Sequence, residues 1–255
     1  MIKLIMTLTA ALVSMVVFSQ ASENRTVGSF NKLKASTQVQ VFYTVSDQIK
    51  VEVSCEDQQK LAYVKTEVKG STLEIYIDSY NRKSKKDKEN YMHFKNVQVL
   101  VSGPNLQSIK ASASASVHIK NQMQAQQLSL EVGSSADIIG NFKGDSLTIQ
   151  ASSSGDVKAQ VDFKNLSVDA SSSADVQLEG NAQTLIVEAS SSADCLLRNL
   201  KAQSAEILAS SSADVTVQAT ASLHIKASSS ADVVYYGNPA KTSFDKNSSG
   251  SITHK

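Results

Sequence analysis

Six aspartates recur along the second half of the chain at a nearly constant spacing, and each follows a small residue. The motif is Ser-Ala-Asp or Ser-Gly-Asp, and four copies read Ala-Ser-Ser-Ser-Ala-Asp in full. Carboxylates beside hydroxyl and carbonyl oxygens are the hard ligands that Ca²⁺ prefers. The pattern therefore offers a candidate metal site at Asp137, Asp156, Asp175, Asp194, Asp214 and Asp232.

A structural role for these aspartates is the favoured interpretation. Asp and Ser side chains readily accept backbone N–H bonds at turns, and an Asp that caps its own corner can also accept a hydroxyl from the next repeat. Calcium-loaded β-helical repeats have a nine-residue period with glycines in the turn, whereas this chain has a longer period with Ser and Ala. We therefore expect corner caps and no cofactor, with Ca²⁺ binding as the alternative.

The serines of the same motif suggest a recognition surface. If they point outward, their hydroxyls would form a flat lattice suited to a periodic partner such as a polysaccharide or ice. The chain has no Trp, and Tyr235-Tyr236 is the one aromatic pair among the repeats, so stacking on sugar rings is weakly supported. The serines concerned are Ser152, Ser154, Ser171, Ser173, Ser190 and Ser192.

An enzyme that acts on polysaccharides is the third interpretation, because parallel β-helices also host such enzymes. A catalytic site needs an irregular constellation of acid, base and cation in a groove. Here the aspartates are regular, and His118 and His224 fall on different repeats at outward positions, as expected for solvated histidines. The sequence therefore favours a protein that is not an enzyme.

The elements that must position these residues follow from the period. Aligned on the motif aspartate, the repeats are separated by 21, 19, 19, 19, 20, 18 and 19 residues. A period near 19 with small length changes is typical of a stacked array of structural repeats. The aligned positions are Ser116, Asp137, Asp156, Asp175, Asp194, Asp214, Asp232 and Ser251.

Apolar residues occupy alternate positions within each repeat. In the repeat around Asp175, they are Leu166, Val168, Ala170 and Val176, with Ala174 as the small residue before the aspartate. This alternation predicts strands with one buried face. Stacked at a constant period, such strands form an all-β, right-handed parallel β-solenoid, in which equivalent side chains make continuous internal ladders.

The ends of the chain differ from the repeats. Residues 1–21 resemble a secretory signal peptide, with Lys3 before an apolar run and small residues at the cleavage site. We expect one β-solenoid domain over residues 22–255, with irregular rungs or a cap over 22–104 and the serine-rich repeats over 105–255. Within the irregular part, we expect longer strands, a short helical turn at Glu56–Tyr63 and a solvated basic loop at Tyr80–Asn90.

Composition excludes some partners. Removing residues 1–21 leaves 24 basic and 24 acidic side chains, and this neutrality argues against nucleic acid or an anionic membrane. No other segment is apolar enough to span a bilayer. Cys55 and Cys195 are too few for a disulfide scaffold, and Cys195 replaces valine in its repeat, so we expect a small buried side chain there. Whether the two cysteines form a bridge is left open.

The chain resembles a known family at four places. They are Phe30-Asn-Lys-Leu-Lys-Ala-Ser, Val51-Glu-Val, Val64-Lys-Thr-Glu-Val-Lys-Gly-Ser-Thr-Leu and the Ser-[Ala/Gly]-Asp-Val repeats. These segments are similar to those of the putative auto-transporter adhesin head GIN domain family, over roughly residues 25–255. The resemblance implies an exported or surface-associated β-solenoid of a Gram-negative envelope, and it brings no catalytic residues.

Together these observations predict an exported, non-enzymatic binding module that resembles an adhesin. Its compartment would be periplasmic, outer-membrane-associated or extracellular. A polysaccharide or a surface protein is the expected class of partner, and the open ends of the solenoid could pair with a second copy. The alternatives are a calcium-dependent carbohydrate-binding scaffold and a polysaccharide-active enzyme.

Overall fold

A computed structural model describes residues 21–78 and 94–255 of the protein. The predicted signal peptide, apart from Ala21, and the predicted basic loop at Tyr80–Asn90 lie outside these residues. The first part of the described chain contains a 3₁₀ helix, Leu61–Tyr63, inside the segment predicted to form a helical turn. Its strands are β1 (Ala21–Arg25), β2 (Lys32–Ala35), β3 (Gln40–Val45), β4 (Lys50–Cys55), β5 (Val64–Lys69), β6 (Thr72–Ile77), β7 (Gln98–Gly103), β8 (Ser108–Ala111) and β9 (Ser116–Ile119).

The second part of the chain consists of the serine-rich repeats. It folds into β10 (Met123–Val132), β11 (Asp137–Ala151), β12 (Asp156–Ala170), β13 (Asp175–Ala189), β14 (Asp194–Ala209), β15 (Asp214–Ala227), β16 (Asp232–Tyr236), β17 (Lys241–Lys246) and β18 (Ser251–His254). Each long strand pairs in parallel with the next one along the chain. The protein is therefore an all-β parallel solenoid of about 8 turns with rungs of about 19 residues, as the sequence predicts.

The register of the strands confirms the repeat alignment. Asp156 lies opposite Asp175, and Val157 lies opposite Val176, so each residue type stacks on its equivalent in the next rung. Along β12 the alternation of buried and exposed residues changes phase at Lys164 and Asn165, which are both exposed. A strand that keeps its buried face inward must bend at such a point, so Lys164 and Asn165 mark one corner of the coil.

The core is built from the aliphatic ladders. The residue after each aspartate is buried, and so is the small residue before it, where Ala174 and Ala193 are fully enclosed. Among the described residues, no polar or charged residue is classed as buried. Because the side chains of these ladders are apolar, they need no hydrogen bonds inside the coil, and their packing supports the register that the backbone pairing sets. The ladder after the aspartate comprises Ile138, Val157, Val176, Cys195, Val215 and Val233.

The serine block forms a turn, so its serines do not form the flat lattice that the sequence left open as one interpretation. In the rung before Asp175, Ser172 and Ser173 have φ angles of 53° and 59°, and the Ala174 amide donates to the Ser171 carbonyl at 3.3 Å. Two central residues with positive φ define a tight turn of the type I′ class. The serines are exposed at a narrow corner of the coil rather than on a sheet face.

These turns are stacked and hydrogen-bonded to one another. The amide of Ser173 donates to the carbonyl of Ser191 in the next rung at 3.1 Å, and Ser154 donates to Ser172 in the same way at 3.0 Å. The left-handed conformation costs an unbranched residue about 1 kcal/mol or more. The repeated inter-rung bonds offset part of this cost, which explains how serine replaces the usual asparagine and glycine.

The N-terminal strands cap the solenoid, but they are shorter than predicted. They span four to six residues, against 14 to 16 for β11 to β15. The order of the strands in space differs from their order in the sequence. The earlier strands β2 and β3 lie between β6 and β7 on one side and β8 and β9 on the other. Three antiparallel pairs, β1–β4, β4–β7 and β5–β6, then cover this end of the coil.

The C-terminal end has a polar cap. Lys246 occupies the ladder position of buried Ala227, and its Nζ donates to the Ile252 carbonyl at 3.3 Å. Phe244, which continues the Ile225 ladder, is 42% exposed. An exposed charge on this strand discourages pairing with another chain.

Candidate functional site

A polar groove runs across the rungs at the corner opposite the serine turns. Its volume is about 810 Å³, and it crosses β10 to β15. Two rows of exposed side chains line it, with buried Phe163 between them. The first groove row contains Gln124, Lys143, Asp162, Asn181 and Lys201, which are paired in register. The second groove row, two residues further along each strand, contains Gln126, Asp145, Lys164, Gln183 and Gln203.

Two ion pairs lie in the middle of the groove. Lys143 Nζ lies 3.1 Å from Asp162 Oδ2, and Lys164 Nζ lies 2.6 Å from Asp145 Oδ1. All four side chains are about half exposed, so each pair adds at most about 1 kcal/mol to stability. Their main effect is to orient charges of both signs across two adjacent rungs. Amides lie on both sides of this charged centre, at Gln124 and Gln126 and at Asn181 and Gln183.

The groove combines donors and acceptors at a fixed interval. Primary amides both donate and accept, and the charged groups add stronger donors and acceptors. Neighbouring strands in a sheet are about 4.8 Å apart, so equivalent groups repeat at that distance along the groove. Such a surface can bind a linear polar ligand whose own groups repeat on the scale of one rung.

The sequence analysis did not identify this groove. Its residues differ from rung to rung, so they do not stand out in a repeat alignment as the aspartates do. The available signal was the pair of consecutive polar residues, such as Lys164-Asn165, that breaks the alternation of each long strand. Reading that break as a corner would have placed the polar rows side by side.

The predicted aspartates lie in one file at the opposite corner. Asp137, Asp156, Asp175 and Asp194 are neighbours in register, each at the first position of its strand. Partial burial raises the pKa of Asp156 above its ordinary value, and the charges of Asp175 and Asp137 raise that pKa further. The pKa of Asp194 is raised by the same two causes. Neighbouring carboxylates of the file therefore repel one another.

Hydroxyl capping is seen at the first aspartate of the file. Ser116 Oγ donates to Asp137 Oδ2 at 2.7 Å from the preceding rung. For the other aspartates, the role of corner cap stays a prediction. Within residues 21–78 and 94–255, no group of three or more His, Cys, Asp or Glu side chains is placed to hold a metal ion. Each rung contributes a single carboxylate to the file.

Ser116, His118 and Asp137 form a small cluster beside this file. Ser116 Oγ lies 2.7 Å from His118 Nε2 as well as from Asp137 Oδ2. Because the single hydroxyl proton goes to Asp137, the imidazole is the donor in its contact with serine. In a catalytic triad the serine donates to the imidazole, and the carboxylate orients that imidazole. Here the serine lies between the two, so the cluster does not activate a nucleophile.

The histidines are more constrained than the sequence suggests. His118 was expected to be solvated, but its ring stacks on Phe42 with 5.3 Å between centroids. His254 stacks on Tyr235 at 4.6 Å, and its Nε2 contacts the Gly237 carbonyl at 2.9 Å. Tyr235 is thus occupied in packing at the C-terminal end. These rings stabilise local structure and do not present an open aromatic surface.

Both cysteines are free and buried. Cys195 fills its place in the valine ladder as predicted, and burial raises the pKa of its thiol to about 12. Burial also raises the pKa of Cys55, whose Sγ donates to the Asp57 carbonyl at 3.0 Å. A thiol that stays protonated is a poor nucleophile and metal ligand. The cysteines therefore serve as core residues.

The fold and groove define a class: a parallel β-solenoid with an apolar core and a polar groove along its side. The model of the family described as "putative auto-transporter adhesin, head GIN domain" matches residues 29–239. The chain belongs to this family, as its sequence motifs indicated. The family name is that of an adhesin-like module rather than an enzyme. No match is found among curated proteins.

Solved structures share the fold. A protein described as a putative lipid binding protein, from Parabacteroides distasonis, has a TM-score of 0.81 at 22% identity over 92% of this chain and 96% of its own. Putative adhesins from Parabacteroides merdae and Parabacteroides distasonis have TM-scores of 0.84 and 0.83 at 15% and 19% identity. They cover 92% of this chain, and the matches span 96% and 97% of theirs. At these identities the likeness shows the fold.

Among the described residues, no helix is long and apolar enough to cross a membrane.

Proposed function

We propose that the protein is an exported, non-enzymatic, adhesin-like module that binds polysaccharide in its polar groove. The observation that carries this proposal is the pair of groove rows, which place amides and paired charges on successive rungs across β10 to β15. Polysaccharides present hydroxyls that both donate and accept at regular intervals, and side-chain amides complement them in both directions.

The ligand would be held by polar contacts rather than by stacking. The lining of the groove includes one aromatic residue, Phe163, which is buried. Binding through exposed amides is individually weak, at about 1 kcal/mol per hydrogen bond, so useful affinity requires contacts on several rungs at once. This favours a polymer over a single sugar and fits a role in attachment to an extended surface.

Export and surface location belong to the same proposal. They are supported by the signal-like segment over residues 1–21 and by the description of the family as an adhesin head. In the native organism, the protein should be found in the periplasmic, outer-membrane or extracellular fraction and should begin close to residue 22. A cytoplasmic protein that retains residues 1–21 would contradict export without affecting the groove.

The binding test compares two pairs of substitutions. In the groove, Asn181→Ala with Gln183→Ala removes both amides of one rung. On an exposed sheet face, Gln160→Ala with Gln177→Ala removes two amides outside the groove. Purified proteins are titrated with a panel of soluble polysaccharides by calorimetry. We expect the groove variant to bind at least about fivefold more weakly, since two hydrogen bonds are lost, and the control to bind normally.

The same panel tests the absence of catalysis. Each polysaccharide is incubated with the protein and assayed for new reducing ends. We expect none, because the aspartates are regular and the Ser116, His118 and Asp137 contacts do not fit nucleophile activation. Turnover of any polysaccharide would show that the protein is an enzyme. Equal binding by the groove variant and the control would show that the ligand lies elsewhere.

Calcium-dependent binding is the second candidate function. It is favoured by the raised pKa values of Asp156 and Asp194, since a cation on the file would relieve the repulsion between neighbouring carboxylates. A ligand bound by the native state raises the melting temperature. The test is thermal unfolding in excess Ca²⁺ and in chelator, with Asp175→Asn and Asp194→Asn combined as the variant. A rise that the variant abolishes would establish the site, and equal melting temperatures would exclude it.

A further inference from the structure

The charges in the polar groove do not cancel. Its lining contains three lysines, Lys143, Lys164 and Lys201, but two aspartates, Asp145 and Asp162. The two aspartates are taken by Lys143 and Lys164 in the ion pairs at the centre of the groove. Among the residues that the structure describes, Lys201 takes part in no ion pair. One exposed cation of the groove is therefore left for a ligand.

The surroundings of Lys201 contain neutral groups. Its neighbours in register are Asn181 in the preceding rung and Gln218 in the next, whereas Lys143 has Asp162 beside it. Gln203 and Thr220 complete this end of the groove. An ammonium group among amides and hydroxyls keeps its attraction for an incoming anion, because no carboxylate within the described residues forms an ion pair with it.

The strand that carries Lys201 is irregular next to it. The register of β14 with β15 shifts between Leu197 and Lys201, and this rung has 20 residues, against 19 in the preceding rung and 18 in the next. Elsewhere the long strands β11 and β12 pair without such a shift in this region. Bulges redirect side chains and are frequent beside binding sites. The extra residue thus coincides with the unpaired cation, and the two observations are independent.

We propose, building on the binding function of the groove, that its ligand is a linear acidic polysaccharide lying along the solenoid axis, with a sugar carboxylate at Lys201. The direction follows from the groove rows, which cross successive rungs at about 4.8 Å, a distance close to the length of one sugar unit. The amide rungs bind hydroxyls, and the charged centre binds hydroxyls through both signs of charge. Lys201 selects an acidic chain over a neutral one.

The test uses two polymers that differ in charge alone. Polygalacturonate and its carboxyl-reduced form have the same backbone and linkage. Affinities are measured by calorimetry in a low-salt buffer free of divalent cations, for the unchanged protein and for two matched variants. Lys201→Gln removes the cation of the groove, and Lys158→Gln removes an exposed lysine of β12 outside it.

We expect the unchanged protein to bind polygalacturonate about fivefold more tightly than the reduced polymer, since an exposed charge pair adds up to about 1 kcal/mol. Lys201→Gln should abolish most of this preference, because the substitution weakens binding of polygalacturonate more than binding of the reduced polymer. Lys158→Gln should behave as the unchanged protein. The preference should also shrink with added salt, because the pair is exposed.

Other results overturn the inference. Binding of neither polymer, equal binding of both, or a preference that survives Lys201→Gln would each show that Lys201 does not select an acidic chain. The proposed function fails by a different result: the Asn181→Ala and Gln183→Ala variant would then bind its polysaccharide as well as the Gln160→Ala and Gln177→Ala control. The two failures are therefore distinguishable in one set of titrations.

Discussion

Single residues decide the electrostatics of the aspartate file. Replacing Asp156 with Asn removes one charge from between Asp137 and Asp175, and repulsion between adjacent carboxylates amounts to less than about 1 kcal/mol per neighbour in water. The folded protein raises the pKa of Asp156, so this residue favours folding when protonated and opposes it when ionised. The stabilising contribution of Asp156 is present at a pH below the pKa that its carboxyl group has in the unfolded chain. It is lost as the pH rises through the higher pKa of that group in the folded protein.

The expected result for Asp156→Asn is a melting temperature higher by about 2 °C at pH 7. The gain should shrink as the pH falls towards the ordinary pKa of aspartate, near 3.9, because the native residue is then protonated too. Thermal unfolding followed by circular dichroism, repeated from pH 7 down to this pH, measures the gain in melting temperature. Asp169→Asn, at an exposed position outside the file, is the control. A lower melting temperature at pH 7 would mean that Asp156 accepts stabilising hydrogen bonds instead.

A second residue-scale prediction concerns Cys195. Cys195→Ser places a hydroxyl in a fully buried position of the apolar ladder, and an unsatisfied buried polar group costs about 1 to 3 kcal/mol. Cys195→Val, which matches Val176 and Val215 on either side, should be nearly neutral. Urea unfolding of the two variants measures the difference. Equal stability of the two would contradict the packing of this ladder.

Among the elements, the serine turn is the least expected from the sequence. Ser172 and Ser173 have positive φ angles, which β-branched residues strongly avoid. We expect Ser172→Val to destabilise the protein by about 1 to 3 kcal/mol. The matched control is Ser167→Val on β12, where a β-branched residue suits the strand. Thermal unfolding distinguishes the two, and equal effects would show that the turn has another conformation.

How far the sequence predicts these elements depends on whether a residue repeats. The ladders of Val157, Val168 and Ala170 are predictable, because a fixed period of about 19 and strict alternation admit one stacking register. A corner at the serine block was expected, but its type I′ conformation was not, because Ser-Ser is not a usual type I′ pair and the rule that favours Asn-Gly concerns isolated hairpins. Stacking supplies inter-rung hydrogen bonds that no local pattern reveals.

The groove was missed although the sequence carries a signal for it, whereas the N-terminal cap lies beyond sequence reasoning. Lys143 and Asp162 are one period of 19 residues apart, so the repeat alignment makes them neighbours in register, but their residue types differ and do not mark a site. The cap places β2 and β3 between strands that come later in the chain. Nothing in alternation or period specifies that order, since it depends on which edges remain open once the first rungs have formed.

At the scale of the whole molecule, the strands at the two sides of the described solenoid differ in how they are covered. The N-terminal strands form antiparallel pairs that cover one side of the coil, and β17 at the other side carries the exposed residues Phe244 and Lys246. Lys246→Leu removes the charge that discourages edge pairing, so we expect end-to-end dimers at micromolar concentrations by sedimentation velocity. Lys158→Leu, at an exposed mid-solenoid position, controls for added hydrophobicity. A monomeric Lys246→Leu variant would show that another feature blocks this end.

The stacking of the rungs also determines the shape of the surface that would contact the ligand. Because β10 to β13 pair in parallel without a register shift, the groove rows form one continuous surface across these rungs. On a rigid surface, each weak contact adds to the affinity without the entropy cost of ordering further protein side chains. This suits a protein that attaches to a polymer. This arrangement makes the location of the ligand the central claim of the account.

The most direct measurement of that location is protection of an introduced thiol. Cys55 and Cys195 are buried with raised pKa values, so a maleimide should modify an added exposed cysteine first. Modification rates of Gln183→Cys, in the groove, and Gln160→Cys, outside it, are compared with and without polygalacturonate and its carboxyl-reduced form. We expect at least one polymer to slow modification of Gln183→Cys and to leave that of Gln160→Cys unchanged. If neither polymer slows modification of Gln183→Cys more than that of Gln160→Cys, binding in the groove is contradicted.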